Sequence, residues 1–275
     1  MKKLSIIICV IIVMSGLTHS NSAVDLQKPD LSAVSAIVID ADTGKVIFAK
    51  NEHEIRAMAS LTKVMTTILT IEAGEPDKRF SVDNYAVHVE GTTMGLREND
   101  IVTRLALCYG MMLPSGNDAS NVAAVNVSGS IPEFVKLMNA KAMRIGMYNT
   151  HFANPHGLDS AKHYSTAHDM AILTAYAMKN PTFREICSLQ TVRTEFGNPP
   201  YKRWLRNNNK MLLNYQGCIG VKTGFTDNAR RCLITAAERD GVTLIAVTLN
   251  APDDWNDHTK MLNYGFAIHN IQIHN

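Results

Sequence analysis

The chain has 275 residues, 46% of them apolar and 19% charged, a composition that builds a sizeable core and excludes a disordered or fibrous chain. The formal charge is +2, and loss of Lys2 and Lys3 with the leading segment leaves 25 basic against 25 acidic side chains. That even balance carries no electrostatic footprint of a nucleic-acid binder.

The opening residues, MKKLSIIICVIIVMSGLTHSNSA, combine two lysines, an apolar run from Leu4 to Met14 and small polar residues near Ser20 to Ala23. They read as a signal peptide over 1–22. A permanent anchor is the competing reading, but the run is short of the roughly 20 apolar residues a spanning helix needs. Cys9 leaves with this segment, so Cys108, Cys187, Cys218 and Cys232 remain. None forms a Cys-x-x-C pair, which argues against zinc or thioredoxin chemistry; one or two disulfides are allowed and their pairing is open.

A domain over 30–270 follows. VSAIVIDADTGKVIFAK alternates around the turn Asp42-Thr43-Gly44 and predicts a β-hairpin. From Leu61 the spacing turns helical: LTKVMTTILTIEA, TRLALCYGMM, NDASNVAAVNV, PEFVKLMNAKAMRIG with Pro132 suited to a first turn, and STAHDMAILTAYAMK, where Thr166 and Asp169 approach a capping box. After Gln190 strands return, notably CIGVKTGF, RCLITAAERD and VTLIAVTLN, and DDWNDHTKMLNYGFAIH closes the chain as an amphipathic helix. Strands at both ends enclosing a helical insertion over about 61–190 predict an α+β fold.

Three short motifs occur in order: Ser60-Leu61-Thr62-Lys63, Ser115-Gly116-Asn117 and Lys222-Thr223-Gly224. Taken singly each has a bland reading: Ser60 as a helix cap, Ser115-Gly116-Asn117 as a turn, Lys222 as a solvated strand lysine. Ser-x-x-Lys and Ser-x-Asn are each expected about once by chance, but Lys-Thr-Gly is expected well under once in ten such chains. Their order, on a helix start, an interhelical turn and a strand, is the arrangement serine acyl transfer requires. One helical turn brings Lys63 to Ser60, and a lysine made neutral by burial and by a second cation, Lys222, can take the serine proton.

With GMMLPSGNDASN, FANPHGLDSAKHYSTAHDMAIL and GCIGVKTGFT around them, these motifs resemble serine-type D-alanyl-D-alanine carboxypeptidases, the low-molecular-weight penicillin-binding proteins, from about Val34 to Phe266. The resemblance implies a β-lactamase/transpeptidase-like fold: an antiparallel sheet from N- and C-terminal segments, helices on both faces, and an inserted helical region. It implies Ser60 as nucleophile, Lys63 as base and Ser115 as proton relay. Asn117, Lys222, Thr223 and Gly224 would bind substrate, and the backbone N–H groups of Ser60 and Phe225 would form the oxyanion hole. The implied substrate is the peptidoglycan stem peptide and the implied inhibitors are β-lactams, with no metal or organic cofactor and with export across the cytoplasmic membrane. One departure is Arg230, where an Ala-Gly pair would enter the next strand.

Two other readings use the same residues. A β-lactamase of the nearest layout would resemble Ser-Asp-Asn at the second motif and carry a separate deacylating glutamate, and neither feature is present. A non-catalytic penicillin-binding or wall-binding sensor would keep the pocket without turnover, which intact Ser60 and Lys63 argue against. His151, His156, His163 and His168 match no common zinc spacing and read as capping or packing groups. The ending AIHNIQIHN carries no basic amphipathic tail, which predicts no C-terminal membrane anchor. Oligomeric state is left open.

Overall fold

A computed structural model describes residues 27–274; the signal-like segment lies outside them. The hairpin forms as expected from β1 (Ser35–Asp40) and β2 (Val46–Lys50), and its turn is held by Asp40, whose carboxylate accepts the Asp42 and Thr43 N–H groups at 3.1 and 2.8 Å. A 3-10 turn, Ala59–Thr62, then feeds α1 (Lys63–Glu72). β3 (Arg79–Ser81) and β4 (Ile101–Thr103) precede α2 (Arg104–Met112), α3 (Asn117–Ser128), α4 (Ile131–Ile145), α5 (Ala167–Met178) and α6 (Pro181–Ser188). β5 (Thr191–Gly197), β6 (Pro200–Arg206) and the short α7 (Met211–Asn214) lead to β7 (Cys218–Thr226), β8 (Arg230–Arg239), β9 (Val242–Leu249) and α8 (Asp254–His274).

The main sheet is antiparallel in the order β2-β1-β9-β8-β7, so the chain's two ends do meet in one sheet. Its central strands are buried on both faces, which is why VTLIAVTL reads as continuous apolar text. Val38, Leu233, Leu244 and Ala246 face α8 and its Met261, Leu262 and Phe266. Ile37, Ile234, Ile245 and Val247 face the opposite way, into the helical core. The insertion is not purely helical: β3 and β4 sit inside it and join β5 and β6 in a second sheet, β3-β4-β5-β6. Strands of three residues are too short to show alternation.

Local chemistry sets the helix boundaries. Ser130 caps α4 by accepting the Glu133 N–H at 3.3 Å, with Pro132 in the first turn. Thr166 caps α5 through the Asp169 N–H at 3.0 Å. The reciprocal half of that capping box is absent, because the Asp169 carboxylate instead accepts Asn149 N–H and Thr150 Oγ1–H, both at 2.8 Å. The four cysteines of the described region are all free thiols.

Arg230 opens β8 with φ +58°, a left-handed conformation that costs a non-glycine residue about 1–2 kcal/mol. The turn before it is anchored, since Thr226 Oγ1 donates to Asp159 at 2.8 Å and accepts from Ala229 N–H at 3.0 Å. Arg230→Gly should therefore relieve strain without moving the loop. After the entropy of a more flexible unfolded chain is set against it, the net gain is about 0.5–1 kcal/mol, or roughly 1–4 °C in Tm. An unchanged or lowered Tm in thermal unfolding would show that the arginine side chain compensates for its backbone.

Candidate active site

α1 is buried around its whole circumference from Lys63 to Thr70, as a helix surrounded by α2, α3, α5 and α6 must be. Its threonines survive there because each finds an acceptor: Thr66 Oγ1 donates to Pro155 O at 2.6 Å, Thr67 Oγ1 to Met111 Sδ at 3.8 Å and Thr70 Oγ1 to Thr66 O at 2.7 Å. Lys63 opens this helix with no solvent exposure. Burial, followed by the charge of Lys222, holds its amine well below the usual lysine range, while Asp118 pulls weakly the other way.

Lys63 Nζ lies 2.9 Å from Ser60 Oγ, 2.7 Å from Asn117 Oδ1 and 2.6 Å from the carbonyl oxygen of His156. Two of these partners are carbonyl oxygens, which can only accept. A neutral amine satisfies all three by donating to the two carbonyls and presenting its lone pair to the Ser60 hydroxyl. The orientation of the Asn117 amide is set independently, because its Nδ2 donates to Glu90 O at 2.7 Å. A neutral Lys63 amine is thus oriented toward Ser60 by its neighbours.

Ser60 differs from its expected role in one respect. It sits inside the 3-10 turn, no side chain caps that turn or α1, and the helix proper begins at Lys63. The turn is held instead by Leu61 N–H to Met58 O at 3.2 Å and by Thr62 Oγ1 to Ala59 O at 2.8 Å. Because the Thr62 hydroxyl spends its proton on Ala59, His163 Nε2 at 2.7 Å must be the donor to Thr62, and His163 Nδ1 accepts from Ala153 N–H at 3.0 Å. This neutral tautomer agrees with a pKa pushed down to about 4 by burial and then by His151 and Lys63. His156 is pushed lower still, to about 3, chiefly by burial. The His156 ring accepts the Leu158 N–H through Nδ1 at 3.2 Å, and among the described residues no cluster of three or more His, Cys, Asp or Glu is placed to hold a metal ion.

Two glycines let neighbouring segments close on Ser60. Gly157 has φ +99°, and a Cβ there would fall 2.1 Å from Ala59 O. At Gly224 a Cβ would meet Ala59 Cβ and Ser60 N, each at 3.2 Å, so the space gained at that position serves the protein's own backbone as well as anything bound. The backbone is itself strained here, with Ala59 at φ +49° and Ser115 at φ +69°, as is common where function overrides local preference.

Ser60, Ser115, Asn117, Thr223, Gly224 and Phe225 line one cavity of about 390 Å³. β7 is the edge strand of its sheet, so the segment from Thr223 to Phe225 reaches the cavity without a further strand covering it. Lys222 does not line the cavity. Its side chain is buried, Nζ donates to Thr223 O at 2.9 Å, and burial lowers its pKa to about 7. The arginine on the cavity wall is Arg231, held by Asp254 at 2.6 Å.

Sequence reasoning missed three contributors. The His156 carbonyl has no signature, since any residue supplies one. Asp118 follows the second motif directly and accepts the N–H groups of Met94, Gly95 and Leu96 at 2.9, 3.0 and 2.9 Å, together with the Thr93 hydroxyl; it pins the loop that carries Glu90 to the cavity. Arg231 was legible only as a charge near the turn.

Comparison with known proteins agrees with this geometry. The family description for D-alanyl-D-alanine carboxypeptidase matches residues 22–253. The chain is 38% identical over 245 residues to the D-alanyl-D-alanine carboxypeptidase DacF of Bacillus subtilis, covering 86% of this chain and 62% of that relative's length. It is 32% identical over 273 residues to a D-alanyl-D-alanine carboxypeptidase of Streptomyces, covering 92% and 94%. Among solved structures, a Streptomyces DD-transpeptidase superposes with a TM-score of 0.83 at 32% identity, covering 88% of this chain and all of that one. A D-alanyl-D-alanine carboxypeptidase from Mycobacterium tuberculosis gives 0.84 at 30% identity, covering 89% and 95%.

Proposed function

The chain belongs to the D-alanyl-D-alanine carboxypeptidase family of serine peptidases, and from that premise we propose that it removes the terminal D-alanine of peptidoglycan pentapeptide stems through a Ser60 acyl-enzyme. The observation that carries this reading is the 2.9 Å contact between Lys63 Nζ and Ser60 Oγ, with the other two partners of Lys63 both obligate acceptors. Lys63 takes the hydroxyl proton as Ser60 attacks the carbonyl of the penultimate D-alanine. The oxyanion is received by the backbone N–H groups of Ser60 and Phe225; that a Cβ at Gly224 would lie 3.2 Å from Ser60 N supports their adjacency. Ser115 relays the proton to the departing amine, and water then releases the acyl group.

Asn117 has two tasks, orienting Lys63 and offering its amide edge to the substrate backbone. Thr223 meets the terminal carboxylate directly. Lys222 contributes its charge from behind the wall, through Thr223 O, and lowers the pKa of Lys63 at the same time. A β-lactam mimics the D-Ala-D-Ala end and acylates the same serine. Activity on peptidoglycan implies export, with 1–22 as the cleaved signal and 30–270 as the catalytic domain. Among the described residues no helix is long and apolar enough to cross a membrane.

Intact mass after benzylpenicillin, read beside D-alanine release from diacetyl-Lys-D-Ala-D-Ala, tests the reading. One adduct on Ser60 together with D-alanine release is expected. An adduct without release from this or any stem peptide would point to a sensor, and a product carrying an added amine acceptor would point to transpeptidation.

A further inference from the structure

In the β5–β6 hairpin the directly opposed pairs are Thr191 with Arg206, Arg193 with Trp204, and Glu195 with Lys202. Opposed residues share a face, so these six lie together. Among the alternate positions Phe196 is fully buried and Leu205 nearly so, while Tyr201 beside the turn is exposed. On the outer face the Trp204 side chain is 70% exposed. Arg206 also lines a shallow cleft with Lys210 and Leu213, and Leu213 is 64% exposed.

The charges on this face are one-sided. Glu195 is taken by Arg79 at 3.1 Å, whereas the side chains of Arg193, Lys202, Arg206 and Lys210 make no hydrogen bond or ion pair among the described residues. Edge protection accounts for part of this, because β6 is the outer strand of its sheet and cations on an edge deter pairing with other chains. It does not account for an exposed tryptophan, which favours association. Unpaired cations flanking exposed Trp and Leu suit a surface that is anionic and offers an apolar layer beneath its charges.

We propose that this face docks peripherally on an anionic phospholipid bilayer. Trp204 and Leu213 enter the headgroup region while the four cations meet lipid phosphates, and the long basic side chains reach outward around the apolar pair. A soluble wall polyanion would satisfy the cations but leave Trp204 and Leu213 without a partner. β6 runs on into Asn208, which lines the catalytic cavity, so docking holds the cavity beside the membrane surface. The attachment is electrostatic in large part and therefore released by salt.

The test is co-sedimentation of the exported, purified protein with phosphatidylglycerol-containing vesicles, against pure phosphatidylcholine vesicles and against soluble polyphosphate as competitor. Binding to the anionic vesicles at low salt is expected, with release at high salt. Arg193→Glu combined with Arg206→Glu should weaken it at least about tenfold, and Trp204→Ala should weaken it severalfold. Benzylpenicillin acylation stays unchanged in both, which also reports folding; if the double variant fails that check, Lys202→Gln with Lys210→Gln replaces it. Equal binding by wild type and charge variants, equal binding to neutral vesicles, or displacement by polyphosphate with no effect of Trp204→Ala would each overturn the proposal.

Discussion

Lys63→Met is expected to slow acylation of Ser60 by benzylpenicillin about 10³-fold while leaving the fold intact. The magnitude is that of a general base removed from an otherwise complete site. Methionine matches the lysine stem in length and bulk, and α1 already encloses that stem without solvent. Removing an amine that burial and Lys222 destabilise in its charged form offsets the loss of donors to Asn117 Oδ1 and His156 O. The expected change in stability is accordingly small, within about 2 kcal/mol either way.

The pH profile gives the sharper readout. Lys63 works as a base only when neutral, so wild-type acylation falls as pH drops through its depressed pKa, and the rate rises with pH until the amine is fully deprotonated. Lys63→Met should lose that limb and show a low, flat rate. Ser60→Ala forms no adduct at any pH. Stopped-flow acylation across the neutral range separates the cases; a Lys63→Met variant that kept the wild-type limb would assign the base elsewhere, with Lys222 and its pKa of about 7 the first group to examine.

Much of this site was readable as spacing. Lys63 follows Ser60 by three positions, and that interval brings their side chains together whether the first turn is α or 3-10. The strand character of β8 and β9 was equally plain, because strands buried on both faces permit few polar residues. What stayed hidden was of a different kind. The His156 carbonyl and the Glu90 carbonyl that orients Asn117 are backbone groups delivered by loops, and side-chain identity says nothing about them.

The position of Lys222 illustrates a second limit. Its residue type and strand were apparent, but alternation along an edge strand does not say whether a long side chain ends in the cavity or behind it. Here the side chain is buried, with Nζ donating to Thr223 O. The short β3 and β4 were beyond pattern reading, whereas α6 went unread although its start signal stands in the sequence as Asn-Pro: Asn180 caps it through the Phe183 N–H at 3.1 Å with Pro181 in the first turn.

Asn117→Asp should move the acylation profile of Ser60 toward alkaline pH by about one to three units, which lowers the rate on the acid side of the profile by about 10-fold to 10³-fold. The substitution keeps the shape of the side chain and replaces a neutral oxygen 2.7 Å from Lys63 Nζ with part of a carboxylate. An adjacent negative charge stabilises the ammonium form, opposing the burial and the Lys222 charge that favour the neutral amine. Below that raised pKa the amine is protonated and paired, and Ser60 keeps its proton. Raising the pH restores the neutral amine and with it the rate.

A second consequence separates this electrostatic effect from simple disruption. The other carboxylate oxygen faces Glu90 O, where Asn117 Nδ2 donated at 2.7 Å, and two acceptors at that distance repel. Asn117→Ala removes both contacts without adding charge, so it should lose rate at every pH with little shift of the profile. An aspartate variant whose loss is equally pH-independent would mean that Asn117 acts through the substrate alone. A profile displaced to high pH, with recovery toward the wild-type rate there, would mean that the neutrality of Lys63 is what Asn117 protects.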